Sequence, residues 1–235
     1  MAFDGLGADC SEVYSPPRVT ELAGKVGLQS GSALDFTTND EEGNPWDFNL
    51  ASQRTKAVKL LEAEKPLMLI ACPMCGPFSS LNYWNYQKSD DQTVRQKLES
   101  ALTHLKFSLE LCIRQYKAGR CFVFEHPAAA SSWTTQFVQK VLSLEGVFLS
   151  KFDFCQLGMT TPGAQGEALP AKKRTAVLTN SKNLAETLRM ARCQGRHVHE
   201  PLVGGVGLRP AKPTLRSLCS SWSRRSERRS RTPSG

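Results

Sequence analysis

Two spacings of hydrophobic residues recur along the chain. Short, continuously apolar runs such as "PLMLIAC" at 66–72 and "RCFVFEHP" at 120–127 read as strands buried on both faces. Between them, Val94, Leu98, Leu102, Leu105, Leu109 and Ile113 recur every three or four residues, which predicts a long amphipathic helix over 91–119 that stops at Gly119. The same reading places strands at 11–15, 32–36, 147–155 and 175–180. It places helices at 18–27, 53–65, 131–144 and 182–193, with Ser131 or Ser132 as the cap of the third. The stretch between Gly158 and Lys172 reads as a long loop. Strands alternating with helices predict an α/β, doubly wound, Rossmann-like fold with a parallel-dominated sheet. Ligands of such folds sit beyond the carboxyl ends of the strands. That rule selects residues 15–18, Asp35, residues 72–79 and residues 125–127.

Charge divides the chain unevenly. Residues 205–235 hold eight Lys/Arg against one acid, Glu227, and so carry +7 of the formal +8, leaving a body that is nearly neutral. This Ser/Arg-rich stretch lacks core residues and is expected to be a disordered basic tail, either simply solvated or a nucleic-acid contact. The expected organisation is an N-terminal extension at 1–10, one domain at 11–204, and the tail. No apolar run approaches the roughly 18 residues of a membrane span, so no membrane partner is expected. No secretory signal is legible at the N-terminus. Eight cysteines, scattered singly apart from Cys72 and Cys75, do not read as a disulfide framework. A reducing compartment, nuclear or cytoplasmic, is therefore expected.

Cys72-Pro-Met-Cys75 leaves three readings open. A thioredoxin-type pair would open a helix, where the thiol pKa falls, whereas Gly76-Pro77 punctuates a loop. A zinc site needs about four ligands, and no second CxxC exists. In the third reading only Cys75 does chemistry. Elsewhere, Cys193, His197 and His199 form a Cys-x3-His-x-His spacing to which Cys155 could add a fourth zinc ligand. The alternative puts the two histidines in a loop near phosphate, and the sequence alone assigns no metal.

The stretch "PMCGPFS" resembles the Pro-Cys-Gln-Pro-Phe-Ser loop of the DNA cytosine carbon-5 methyltransferases. Pro73, Cys75, Pro77, Phe78 and Ser79 are in register, and Gly76 stands at the family's Gln. Glu125 in "FVFEHP" falls where that family has the Glu of Glu-Asn-Val, with His126 following. Lys172 and Arg174 fall on the two basic positions of its Gln-x-Arg-x-Arg. The resemblance spans about residues 12–180 and implies a methyltransferase fold. It implies Cys75 as the nucleophile at cytosine carbon-6, Glu125 as the acid at N3, and Lys172 and Arg174 as cations at the same catalytic site. It implies S-adenosylmethionine as cofactor, held by Tyr14, Ser15, Arg18, Asp35, Asp47 and Pro73. Phe78, Ser79 and His126 would contact substrate. The loop at 15–18 carries Ser-Pro-Pro-Arg in place of the family's glycines. The resemblance does not extend to a target recognition domain, so a protein partner is expected for targeting. The function it implies is methylation of cytosine in DNA more readily than RNA. The competing expectation is an inactive, methyltransferase-like module that only binds nucleic acid.

Overall fold

In the computed structural model, which describes residues 7–79, 90–163 and 165–200, the periodic runs form one six-stranded sheet with helices on both faces. Strand β1 (Cys10–Val13) leads through α1 (Val19–Lys25) to β2 (Ser30–Leu34), and α2 (Ala51–Glu64) returns the chain to β3 (Met68–Ala71). The long helix α3 (Asp91–Lys117) joins β3 to β4 (Cys121–Pro127). Helix α4 (Gln136–Leu142) and β5 (Phe148–Asp153) follow, then a small hairpin of β6 (Thr160–Pro162) and β7 (Ala168–Pro170). Strand β8 (Arg174–Thr179) and α5 (Lys182–Met190) complete the described chain.

The sheet order is β2-β1-β3-β4-β8-β5. The first three pairings are parallel, as the sequence predicts, but β8 runs antiparallel to both of its neighbours. The cause is the connection between β5 and β8. It is the β6–β7 hairpin rather than a helical crossover, so the chain re-enters the sheet at the edge it has just left. The long loop expected between Gly158 and Lys172 therefore carries a hairpin. Its strands are three residues each, too short to show a period.

Side chains alternate across the buried strands. On one face Leu69, Phe122, Phe124 and Leu178 pack under α2, α3 and α4. On the other, Met68, Ile70, Val123 and Val177 pack under α1 and α5. Helix α3 starts where Asp90 accepts a hydrogen bond from Thr93 N–H at 2.8 Å. Thr135, not Ser131 or Ser132, caps α4, because both serines lie in a preceding 3-10 turn, Ser131–Thr134. Packing also begins before residue 11: Ala8 N–H reaches Glu64 O at 3.3 Å, and Leu67 N–H reaches Ala8 O at 2.9 Å. The basic tail at 205–235 lies outside the described residues. Among the described residues no helix is long and apolar enough to cross a membrane.

Past the end of β8, the Asn180 side chain continues the ladder. Its Oδ1 accepts from Phe122 N–H at 2.9 Å, and its Nδ2 donates to Arg120 O at 2.8 Å. Asn180→Ala would strand the Phe122 amide beside the core. The expected loss is about 1–3 kcal/mol, a fall in Tm of roughly 2–4 °C per kcal/mol for a chain of this size. Thermal unfolding of the variant checks it.

Candidate active site at the carboxyl edge of the sheet

The chain leaves β1 toward β2 on one flank and returns to β3 on the other. The order reverses between β1 and β3, and a crevice at that reversal is where open α/β sheets bind ligands. Val13, Ala71 and Phe124 stand side by side in register. The residues that follow them, Tyr14, Cys72 and Glu125, are therefore the first to reach this edge.

Beneath the β1–α1 loop lies Glu12, a fully buried acid. Its Oε1 accepts from Val19 N–H (3.0 Å), Thr20 N–H (3.0 Å) and the Thr20 hydroxyl (2.7 Å). The strand thus caps α1, whose own N-cap residue, Arg18, makes no side-chain cap bond. Glu12 Oε2 is buried with no hydrogen-bond partner. Sequence reasoning passed over Glu12; the signal was an acid inside an otherwise buried strand.

After β3 the chain runs through Cys72, buried Pro73, exposed Met74 and half-buried Cys75 into a 3-10 turn, Gly76–Phe78. No α-helix starts at the CxxC, so helix-terminus activation of a redox thiol is absent here. Cys72 packs toward the α1/α5 face. Burial pushes its thiol well up, and the Glu125 carboxylate adds to the effect. Burial also raises the Cys75 thiol; the Lys173 ammonium opposes this, while Glu125 reinforces it. Phe78 sits in the core with Leu105 and Phe124. It anchors the cysteine loop and is not free to stack on a substrate, which corrects the sequence reading. Ser79 follows half-buried, its N–H bonded to Gly76 O at 3.0 Å.

Glu125 is mostly buried, and its Oε1 lies 3.4 Å from Lys173 Nζ. Lys173 also stands over the Phe154 ring at 5.2 Å from its centre. The cation beside Cys75 and Glu125 is therefore Lys173, between the two basic residues singled out by sequence. Arg174 pairs instead with the buried carboxylate of Asp153 at 3.1 Å. The field of Lys172 reaches His199, helping to lower that imidazole after burial and His197. The parity of the segment entering β8 sends Lys173 and Arg174 to opposite sides.

The same parity separates Glu125 from His126. His126 is fully buried, with Nδ1 2.6 Å from Ser132 Oγ and rings of Phe78, Phe124 and Trp133 around it. It supports the cysteine loop from below and cannot touch a substrate, which corrects its assignment.

The residues assigned to the cofactor line the carboxyl ends of β1, β2 and β3, with unequal freedom. Tyr14, at φ 60°, turns its hydroxyl inward to His104 Nδ1 at 2.9 Å, and burial raises the phenol far above its usual range. Tyr14 is thus a packing residue. Ser15 Oγ donates to Pro16 O at 3.0 Å, and Arg18 is exposed. Asp35, directly after β2, uses Oδ1 for Thr37 N–H and Oγ1, leaving Oδ2 for a ligand. Asp47 Oδ1 accepts two bonds from Asn49. Comparison of the chain with protein-family models and with curated proteins found no match.

Burial holds His126 down to about 4, against about 6.5 in an unfolded chain. The unfolded state therefore binds the extra proton between those values. Stability is complete above pH 6.5 and declines as pH falls toward 4, by about 3 kcal/mol at most. Urea midpoints from pH 4 to 7.5 should show this slope in the wild type, and His126→Phe should flatten it. Equal slopes in both chains would refute the assignment.

Proposed function

We propose that the chain is an S-adenosylmethionine-dependent methyltransferase acting on carbon-5 of cytosine in nucleic acid, DNA in preference to RNA. The observation that carries this reading is the convergence of Cys75, Glu125 and Lys173 at one sheet edge, beside the switch-point crevice. Those residues come from three separate segments; Cys75 and Glu125 are the pair the sequence resemblance names, and Lys173 stands between its two basic positions, Lys172 and Arg174.

The crevice offers groups that fit the cofactor. Asp35 Oδ2 would take the ribose hydroxyls and Arg18 the carboxylate, and Glu12 Oε2 is a buried acceptor without a donor. Bound there, S-adenosylmethionine would supply an electrophilic methyl group. The chain's own residues prepare its acceptor. The Cys75 thiolate adds to cytosine carbon-6, forming a sulfur–carbon bond and moving electron density to carbon-5 and N3. Glu125 gives a proton to N3 as that density builds and recovers it when the sulfur–carbon bond breaks. Lys173 favours the thiolate and adds positive charge where negative charge develops. With the methyl group on carbon-5 and the cofactor's thioether released, the carbon-5 proton leaves to water, the sulfur–carbon bond breaks, and the thiolate returns. A duplex cytosine must leave the base stack to reach Cys75, and the basic 205–235 segment supplies charge for the phosphates.

A second reading, a nucleic-acid-binding module without catalysis, draws support from the Cys75 thiol being pushed up by burial and from the glycine-free loop at 15–18. The two readings part at the covalent step. Labelled methyl should pass from S-adenosylmethionine into DNA with the wild type and with Cys72→Ser, and fall to background with Cys75→Ser. Oligonucleotides carrying 5-fluorocytosine, whose fluorine cannot leave as a proton does, should trap a denaturation-resistant adduct that needs Cys75. Salt-sensitive binding with neither label nor adduct would select the binding module. Equal loss in both cysteine variants would reject the single-nucleophile mechanism.

A further inference from the structure

Beyond the carboxyl end of β5, at the edge of the sheet, four ligand-type side chains meet. Cys155 follows β5 in the 3-10 turn Phe154–Leu157, and Cys193, His197 and His199 come from the segment after α5. Their donor atoms all lie within 4.8 Å of one another. His199 Nε2 is 3.3 Å from Cys193 Sγ, 3.4 Å from Cys155 Sγ and 3.0 Å from His197 Nε2. Cys193 Sγ is 3.7 Å from His197 Nε2.

Hydrogen bonding alone does not account for this cluster. An imidazole nitrogen has a single in-plane lobe, either an N–H or a lone pair. His199 Nε2 faces three partners at once and can serve only one of them. A shared centre serves all four. Around a tetrahedral zinc with bonds of about 2.0 Å to nitrogen and 2.3 Å to sulfur, ligand atoms stand roughly 3.3–3.8 Å apart. The observed separations of 3.0, 3.3, 3.4 and 3.7 Å cluster about that range. Gly195, at φ +76°, makes the turn between Cys193 and His197, and its N–H points at Cys193 Sγ at 3.4 Å.

We propose that Cys155, Cys193, His197 and His199 form a structural zinc site that fastens the segment after α5 to the end of β5. Two thiolates and two imidazoles suit zinc over magnesium or calcium, which take oxygen ligands. Four protein ligands leave no open position, so the site is structural. The fastened segment already touches the fold on both sides of the ligands. Asp153 N–H bonds Ala191 O at 2.9 Å, and Glu200 N–H bonds Pro170 O at 3.1 Å. Neither Cys72 nor Cys75 belongs to this cluster.

The full chain, purified without chelator, should carry about one zinc per molecule by elemental analysis. Replacement with cobalt(II) should give the intense visible bands of a tetrahedral ion together with thiolate-to-metal charge transfer. Cys193→Ser and His199→Ala should lose the metal, while Cys72→Ser and Cys75→Ser keep it. Zinc should protect Cys155 and Cys193, but not Cys75, from alkylation. A folded wild type without stoichiometric zinc would overturn the proposal, as would a weak six-coordinate cobalt spectrum. Metal lost on changing Cys72 or Cys75 and kept on changing Cys193 would also overturn it. If the ligand variants fail to fold, the wild-type cobalt spectrum and alkylation pattern decide alone.

Discussion

Parallel strands in register must all leave their sheet at the same edge. β1, β3 and β4 obey this with no offset, Val13, Ala71 and Phe124 standing in one row. The cysteine loop and Glu125 follow from that row. One residue later the chain gives Tyr14, Cys72 and Glu125, and within four residues of β3 it gives Cys75. The apolar faces of Leu69, Phe122 and Phe124 hold the row in place by burial. A slip of one residue in β4 would exchange Glu125 with His126, putting a carboxylate in the core and an imidazole in the crevice. The register therefore determines the chemistry as well as the packing.

Long periodic segments were legible because burial imposes their period. The helix expected at 91–119 is α3, shortened by two residues at its end, and the run "PLMLIAC" is β3 with frayed ends. The direction of β8 was not legible, since a run such as "TAVLTN" packs equally well either way up. Direction depends on the connection, and this connection is a hairpin of two three-residue strands. Caps were misplaced for a related reason. Ser131, Ser132 and Thr135 are all good cap residues, and Ser132 is diverted by His126 Nδ1.

Within the site, the sequence was most informative about positions and least about which way side chains point. Lys173 pairs with Glu125, and its field reaches Cys75. Assigning both Glu125 and His126 to the crevice conflicted with strand parity, which sends neighbours to opposite faces. Parity also decides among Lys172, Lys173 and Arg174, once β8 is known to start at Arg174. Phe78 and Tyr14 illustrate a different effect. Both are large aromatics next to a loop, and burial of an aromatic face outweighs its exposure to a ligand-sized gap.

Asp153 links the two clusters. This fully buried carboxylate receives Cys193 N–H at 3.0 Å on one oxygen and the Arg174 guanidinium at 3.1 Å on the other, with Arg192 at 3.6 Å. Burial works to raise its pKa, but these donors outweigh burial and hold it low. A buried carboxylate so satisfied fixes its donors as firmly as they fix it. On one side it orients Cys193 within the Cys/His cluster. On the other it pins Arg174, and through the strand parity at that point it presents Lys173 to Glu125. Asp153, the last residue of β5, thus holds both segments by one charge. The geometry at Cys75 depends on the Cys/His segment through the backbone from Asp153 to Arg174, without any side chain shared between them.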